Sequence, residues 1–178
     1  PTKKVAVLSI DPSSEISQGS ILGDKTRMNK LSSMSAAYIR PSSSGNNLGG
    51  VSKNTRLSVL LCEAAGYNTI LIESVGVGQN ETEIAKLSDL FVLLISPGGG
   101  DELQGIKRGI MEVADIVVVN KADGNNKNQA TMTAKEYSMA LHLKTKNEDI
   151  RVPKVIVASA QEKQGVQPFI EKGTDFNT

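Results

Sequence analysis

The sequence predicts an α/β fold, with a mostly parallel sheet covered by helices on both faces. Three observations carry this expectation. Short, β-branched apolar runs alternate with longer stretches of helical periodicity, which is the pattern of strands joined by crossover helices. Aromatic residues make up only 3% of the chain and Trp is absent, so the core is built from Val, Ile, Leu, Ala and Met, a composition suited to strands buried on both faces. Residues able to do chemistry fall at the C-terminal ends of the apolar runs, the edge at which open parallel sheets bind ligands.

The elements follow in order. Residues 5–10 (VAVLSI) are the first strand-like run, ending in Asp11. Residues 13–52 hold many Ser, Gly and Asn without clean periodicity and read as one long irregular segment. Residues 55–65 read as a helix with Leu57, Leu60, Leu61 and Ala64 on its apolar face and Gly66 as its stop. Cys62 lies in the same helix and reads as a core residue. TILIE (69–73) is the second strand, and 81–87 a short helix. LFVLLI (90–95) is the third strand, followed by Pro97 and three glycines. Residues 101–114 read as a helix with Asp101 as N-cap and Leu103, Ile106, Ile110 and Val113 inward. IVVVN (116–120) is the fourth strand, 127–143 the longest helix, VIVAS (155–159) the fifth strand, and 165–172 a closing helix. His142, late in the long helix, reads as a packed or capping residue.

Composition narrows the function classes. The 178 residues fit one ordinary domain. A net charge of +1 with no block of like charge argues against a nucleic-acid partner. A single Cys excludes an intrachain disulfide framework and fits a reducing compartment. No apolar run is long enough for a membrane helix, and the first residues lack a secretory cleavage pattern.

The most specific motif is Asn120-Lys121-Ala122-Asp123, directly after a strand. The Asp123 carboxylate can accept two hydrogen bonds from N1 and the 2-amino group of guanine, a donor pair that adenine lacks. Asn120 would contact the base edge and the stem of Lys121 would cover its plane. Ser159-Ala160, with Gln161 beyond, ends the next strand, where such domains meet guanine O6 through backbone N–H groups. Glu73-Ser74-Val75-Gly76 follows the second strand. An acidic residue there addresses Mg²⁺, and the glycine lets a backbone N–H approach a γ-phosphate. Asp11, Asp24 and Glu73 are the candidate metal set, with Lys25 and Arg27 close to Asp24 in sequence. The expected catalytic group is Asp11, Glu73 and Gly76. A phosphate-binding loop, G-x-x-x-x-G-K-[ST], is missing. Its nearest match, GNNLGGVS at 45–52, has Val51 in place of the lysine and reads as a flexible loop with no strand before it.

The segments DPSS, SILGDKTRM, GGVSKNTR, LLCEAAGYNTILIESVGVGQNE, LLISPGGGDELQGIKRGIMEVADIVVVNKAD and EYSMALHL resemble the MeaB/ArgK family, which includes the methylmalonic aciduria type A proteins. The likeness covers nearly the whole chain. It implies a P-loop nucleoside triphosphatase of the SIMIBI class that binds GTP and GDP with Mg²⁺. It also implies a chaperone that gates cofactor loading and protects or reactivates an adenosylcobalamin-dependent acyl-CoA mutase, methylmalonyl-CoA mutase above all. Under this resemblance Lys25 and Arg27 lie in a first switch, Gln79 in a second, and Asp101, Glu102, Gln104 and Lys107 in a third that couples nucleotide state to the mutase. The family's phosphate-binding strand and its C-terminal dimerisation segment are not found, so the chain reads as one N-terminally truncated G domain, inactive by itself, of a protein that is a homodimer at full length. The expected compartment is the cytoplasm of a bacterium or the matrix of a mitochondrion. The alternatives are a kinase or ATPase of an amino-acid (LAO/AO) transport system, a nickel-delivery GTPase, and a nonenzymatic binding module. One Cys and one His are a poor ligand supply for nickel.

Overall fold

The computed structural model describes residues 3–11, 28–43, 48–74, 81–98, 110, 113–145 and 152–166. The chain divides into two compact units, Pro1–Leu87 and Ser88–Thr178, each built on a three-stranded parallel sheet.

In the first unit, β1 (Val5–Asp11) lies between β2 (Ala37–Ser43) and β3 (Thr69–Ser74). Val5 pairs with Ala37 on one side and Thr69 on the other. As the central strand, β1 buries Ala6, Val7, Leu8, Ser9 and Ile10, so both its faces are covered. A one-turn helix, α1 (Asn29–Ser32), precedes β2, and α2 (Leu48–Ala64) leads from β2 to β3. Helix α3 (Glu81–Ala85) follows β3.

The buried positions of α2 are Thr55, Ser58 and Cys62, and Cys62 packs with Ala6 and Leu8 beside Val59, Tyr67, Ile70 and Ile72. Ser58 Oγ donates to Asn54 O at 2.9 Å, so a small polar side chain is satisfied within the helix while lying against the sheet. This corrects the expected apolar face. Leu57, Leu60 and Leu61 are more than half exposed and Ala64 is exposed, because 55, 58 and 62 are the positions that meet the sheet. Cys62 is buried as expected, and burial pushes its thiol up in pKa against the opposing pull of the Arg40 charge. The helix ends as predicted. Gly66 takes φ 81, its N–H donates to Glu63 O at 2.9 Å, and Tyr67 N–H donates to Cys62 O at 3.0 Å, which together form a Schellman cap.

Residues 13–52 are not uniformly irregular, since they hold α1, β2 and the start of α2. Strand β2 escapes recognition because it contains Arg40, Pro41 and two serines, and it tolerates the proline as an edge strand. GNNLGGVS therefore does have a strand before it, and the helix begins within it at Leu48. Val51 still occupies the lysine position.

In the second unit, β5 (Ile116–Val119) lies between β4 (Val92–Ile95) and β6 (Lys154–Val157), and all of β5 is buried. A 3-10 turn (Gly124–Asn126) leads into α4 (Lys127–Thr145), which connects β5 to β6. Ala130, Thr133, Tyr137 and Leu141 form its buried stripe. Tyr137 and Leu141 pack with Val117, Val119, Ile95 and Ala122. Ile116 and Val118 point to the other face, with Ala158, Val92 and Ile156. His142 is exposed, so it is not a packed residue; Leu141 takes the core position beside it. Of the expected 101–114 helix, Ile110 and Val113 are helical, Ala114 is buried just past the helix, and the rest, like the closing 165–172 helix beyond Val166, lies outside the described residues.

Candidate functional site

The C-terminal ends of β5 and β6 carry the two motifs expected to read a base, Asn120–Asp123 and Ser159-Ala160, and parallel pairing puts those ends side by side. Val119 pairs with Val157, and Ala158 N–H donates to Val119 O at 2.9 Å just beyond. Asn120 N–H then bonds Ile95 O at 2.9 Å, and Ala122 N–H bonds Ala158 O at 3.1 Å. Between them Lys121 adopts φ 60, a left-handed conformation that presents an exposed lysine at the tip of the loop. Ala122 is buried, and Asn120 and Asp123 are half-buried.

Side chains tie the two loops together. Ser159 is 1% exposed, and its Oγ donates to Asp123 Oδ2 at 2.7 Å while accepting Glu162 N–H at 3.0 Å. Asn120 Oδ1 accepts the N–H of Ala160 at 3.1 Å. The turn after β6 is closed by Ser159 N–H to Gln164 O at 2.9 Å and Gln164 N–H to Ser159 O at 3.1 Å. Asp123 is thus held by a neutral hydroxyl that uses one of its acceptor positions, and the carboxylate keeps the capacity to receive a further donor pair. The Ala160 N–H, expected on guanine O6, is engaged with Asn120. Gln161 is exposed in the same turn.

Two contributors have no signal in the sequence. Lys127 Nζ meets Glu162 Oε2 at 2.9 Å, joining the first turn of α4 to the turn after Ser159. Gly165 takes φ 71, and a Cβ there would lie 2.3 Å from Val157 O, so only glycine lets the turn close against β6. An open hollow of about 200 Å³ lies among Ala122, Lys127, Thr131, Val157, Ala158, Ser159 and Gln164. It is smaller than an ordinary ligand pocket and opens to solvent.

The first unit carries the acidic strand ends. Glu73 pairs with Ser9 across β3 and β1 and is exposed, while Asp11 closes β1 opposite Ser43. Gly76, Gln79, Asp24, Lys25 and Arg27 lie outside the described residues, as do Asp101, Glu102, Gln104 and Lys107. Among the described residues no group of three His, Cys, Asp or Glu could hold a metal ion. No helix among them is long and apolar enough to cross a membrane.

A sequence profile of the family described as "Methylmalonyl Co-A mutase-associated GTPase MeaB" matches residues 2–178. "GTPase ArgK" of Escherichia coli is 50% identical over 175 residues, 98% of this chain and 53% of that protein. "Methylmalonic aciduria type A homolog, mitochondrial" of Mus musculus is 52% identical over 173 residues, 97% of this chain and 42% of that protein. A crystal structure of a protein called "LAO/AO transport system kinase" superposes with a TM-score of 0.75 at 39% identity, covering 98% of this chain and 49% of the other. The chain spans about half the length of the curated relatives it matches.

Proposed function

This chain belongs to the MeaB family of methylmalonyl Co-A mutase-associated GTPases, and we propose that the whole protein binds and hydrolyses GTP as a chaperone of an adenosylcobalamin-dependent acyl-CoA mutase. The observation that carries the nucleotide part is the Ser159 hydroxyl bonded to Asp123 at 2.7 Å, beside Asn120 bonded to Ala160 at 3.1 Å. A guanine reader needs an oriented carboxylate, and the bond from the buried Ser159 hydroxyl to Asp123 supports that reading. In this reading Asp123 accepts from guanine N1 and the 2-amino group, Asn120 lines the base edge, Lys121 covers the base plane, and Ser159, Ala160 and Gln161 shape the far side.

Mg²⁺ would be held by Asp11, Asp24 and Glu73 with phosphate oxygens, and would neutralise charge on the phosphates. Glu73, exposed one residue before the end of β3, supports this reading. The mutase as partner is supported by the family description and by the aciduria-related name of the mouse relative. Gating of cofactor loading, a homodimer, and a bacterial cytoplasm or mitochondrial matrix belong to the same proposal.

Calorimetry of GDP, GTP and ATP with Mg²⁺ on the full-length protein tests it, alongside Asp123→Asn. The expected outcome is preference for guanine nucleotides, shifting in the variant toward xanthine nucleotides, which accept where guanine donates. Equal or tighter binding of ATP overturns the guanine reading and favours the second one, a kinase of an amino-acid transport system. That second reading is supported by the name of the solved relative at 39% identity, a transport system kinase.

A further inference from the structure

Asp123-Gly124 is the one place in the 178 residues where a glycine follows Asp or Asn. Such a pair is open to attack on its own side chain, because glycine has no Cβ to shield its nitrogen and its backbone turns freely. Gly124 is exposed, takes φ 52, and has nothing within 4 Å of the place a Cβ would occupy. Asp123 precedes the 3-10 turn with φ -127 and ψ 163, and its carbonyl accepts the N–H of Asn126 at 2.9 Å. Its carboxylate makes no capping bond to that turn. Oδ2 is held instead by the buried Ser159 hydroxyl at 2.7 Å. The extended ψ and the Ser159 bond both keep Asp123 Cγ from the Gly124 nitrogen, since joining the two requires rotation about the Asp123 Cα–C bond.

We propose that Asp123-Gly124 is a site of isoaspartate formation, a covalent ageing reaction that the Ser159 bond and a bound guanine nucleotide hold back. The Gly124 nitrogen attacks Asp123 Cγ. A C–N bond forms, a C–O bond breaks, and one carboxylate oxygen leaves as water, carrying the amide proton and a proton from solvent. The product is a five-membered succinimide. Water then adds to the former main-chain carbonyl and the C–N bond there breaks. The nitrogen takes one proton of that water, and the new carboxylic acid ionises, returning a proton to solvent. No atom is gained or lost and nothing is oxidised. The main chain now runs through Cγ, and the free carboxylate sits on Cα, one methylene shorter, out of reach of guanine N1 and the 2-amino group. Local opening of the empty loop frees the carboxylate to react. A bound base engages its remaining acceptor positions and keeps it in place. Protection by nucleotide rests on the guanine reading of Asp123, whereas the reactivity of the dipeptide does not.

The test is to hold the full-length protein for several weeks at neutral pH without nucleotide, with ADP, and with GDP at about 100 times its Kd. Isoaspartate at residue 123 is read by peptide mapping and by enzymatic methylation of isoaspartyl groups. It is expected to accumulate in the free protein and with ADP, in step with loss of GDP-binding sites. With GDP it is expected to form about tenfold more slowly or less, because only the free fraction reacts. Ser159→Ala, without nucleotide, is expected to age on the order of tenfold faster than the native protein, since it loses a hydrogen bond to a charged group. Should that variant fail to fold, Gly124→Asn takes its place. Asn tolerates the left-handed conformation, and its side chain shields the nitrogen, so ageing is expected to slow several-fold. No isoaspartate at residue 123 in the free native protein overturns the proposal, and so does an unchanged rate in the folded variant. Equal ageing with GDP bound overturns the protection by nucleotide. No GDP binding by the fresh native protein overturns the guanine reading, and the variant's rate then still decides the chemistry at Asp123.

Discussion

Ser159 is the residue whose role changes most between sequence and structure. Ser-Ala after a strand suggests backbone N–H groups offered to a base. The fold instead gives the side chain a task, since its hydroxyl fixes Asp123 from a position that is 1% exposed. Hydrogen bonds to charged groups contribute roughly 1.5–3 kcal/mol, so Ser159→Ala is expected to weaken GDP binding by on the order of tenfold or more. Calorimetry checks this, and unchanged affinity would mean that Asp123 is held by something else. The Asn120–Asp123 motif was legible because its four residues are contiguous and follow a run of four buried β-branched residues. The Ser159–Asp123 bond was not, because it joins residues 36 apart in sequence, and only the pairing of β5 with β6 brings them together.

Helix α2 shows how a correct element can be assigned the wrong face. Four apolar residues at helical spacing predicted the helix, yet Leu61 is 66% exposed while Thr55 and Ser58 are buried. Small side chains that satisfy themselves on their own backbone let a helix sit close to a sheet, and hydrophobic periodicity cannot register that. Leu61→Glu is therefore expected to change folding stability by less than about 0.5 kcal/mol, as exposed substitutions do. Gly165→Ala is expected to cost more than about 1 kcal/mol, because the new methyl meets a backbone carbonyl at a positive φ. Denaturant midpoints of the full-length variants separate the two, and equal midpoints would contradict the packing described for both sites. Strand β2 was hidden by the same limitation. A polar edge strand with a proline has no apolar run to display, whereas β1 and β5, covered on both faces, were plain from the start.

For the whole chain, the parallel sheets and crossover helices were legible, and long segments such as GDELQGIKRGIMEVAD carried the family likeness better than the short motifs did. The division into two sheets was not, because pairing partners are set by tertiary contacts that local patterns do not encode. Among the described residues, β3 and β4 each lie at the end of a sheet, and each exposes a leucine, Leu71 at 52% and Leu94 at 65%. Unpaired apolar edges invite association. The 178-residue chain made by itself is expected to be poorly soluble, as checked by light scattering. Monodisperse material would contradict this.

The contacts that tie Asn120 and Asp123 to the turn after β6 all lie in the second unit, while Glu73 and Asp11 belong to the first. Under the function proposed above, choice of base and chemistry on phosphate would be written in different stretches of the gene, so that selection could act on a new base preference without altering the acidic strand ends.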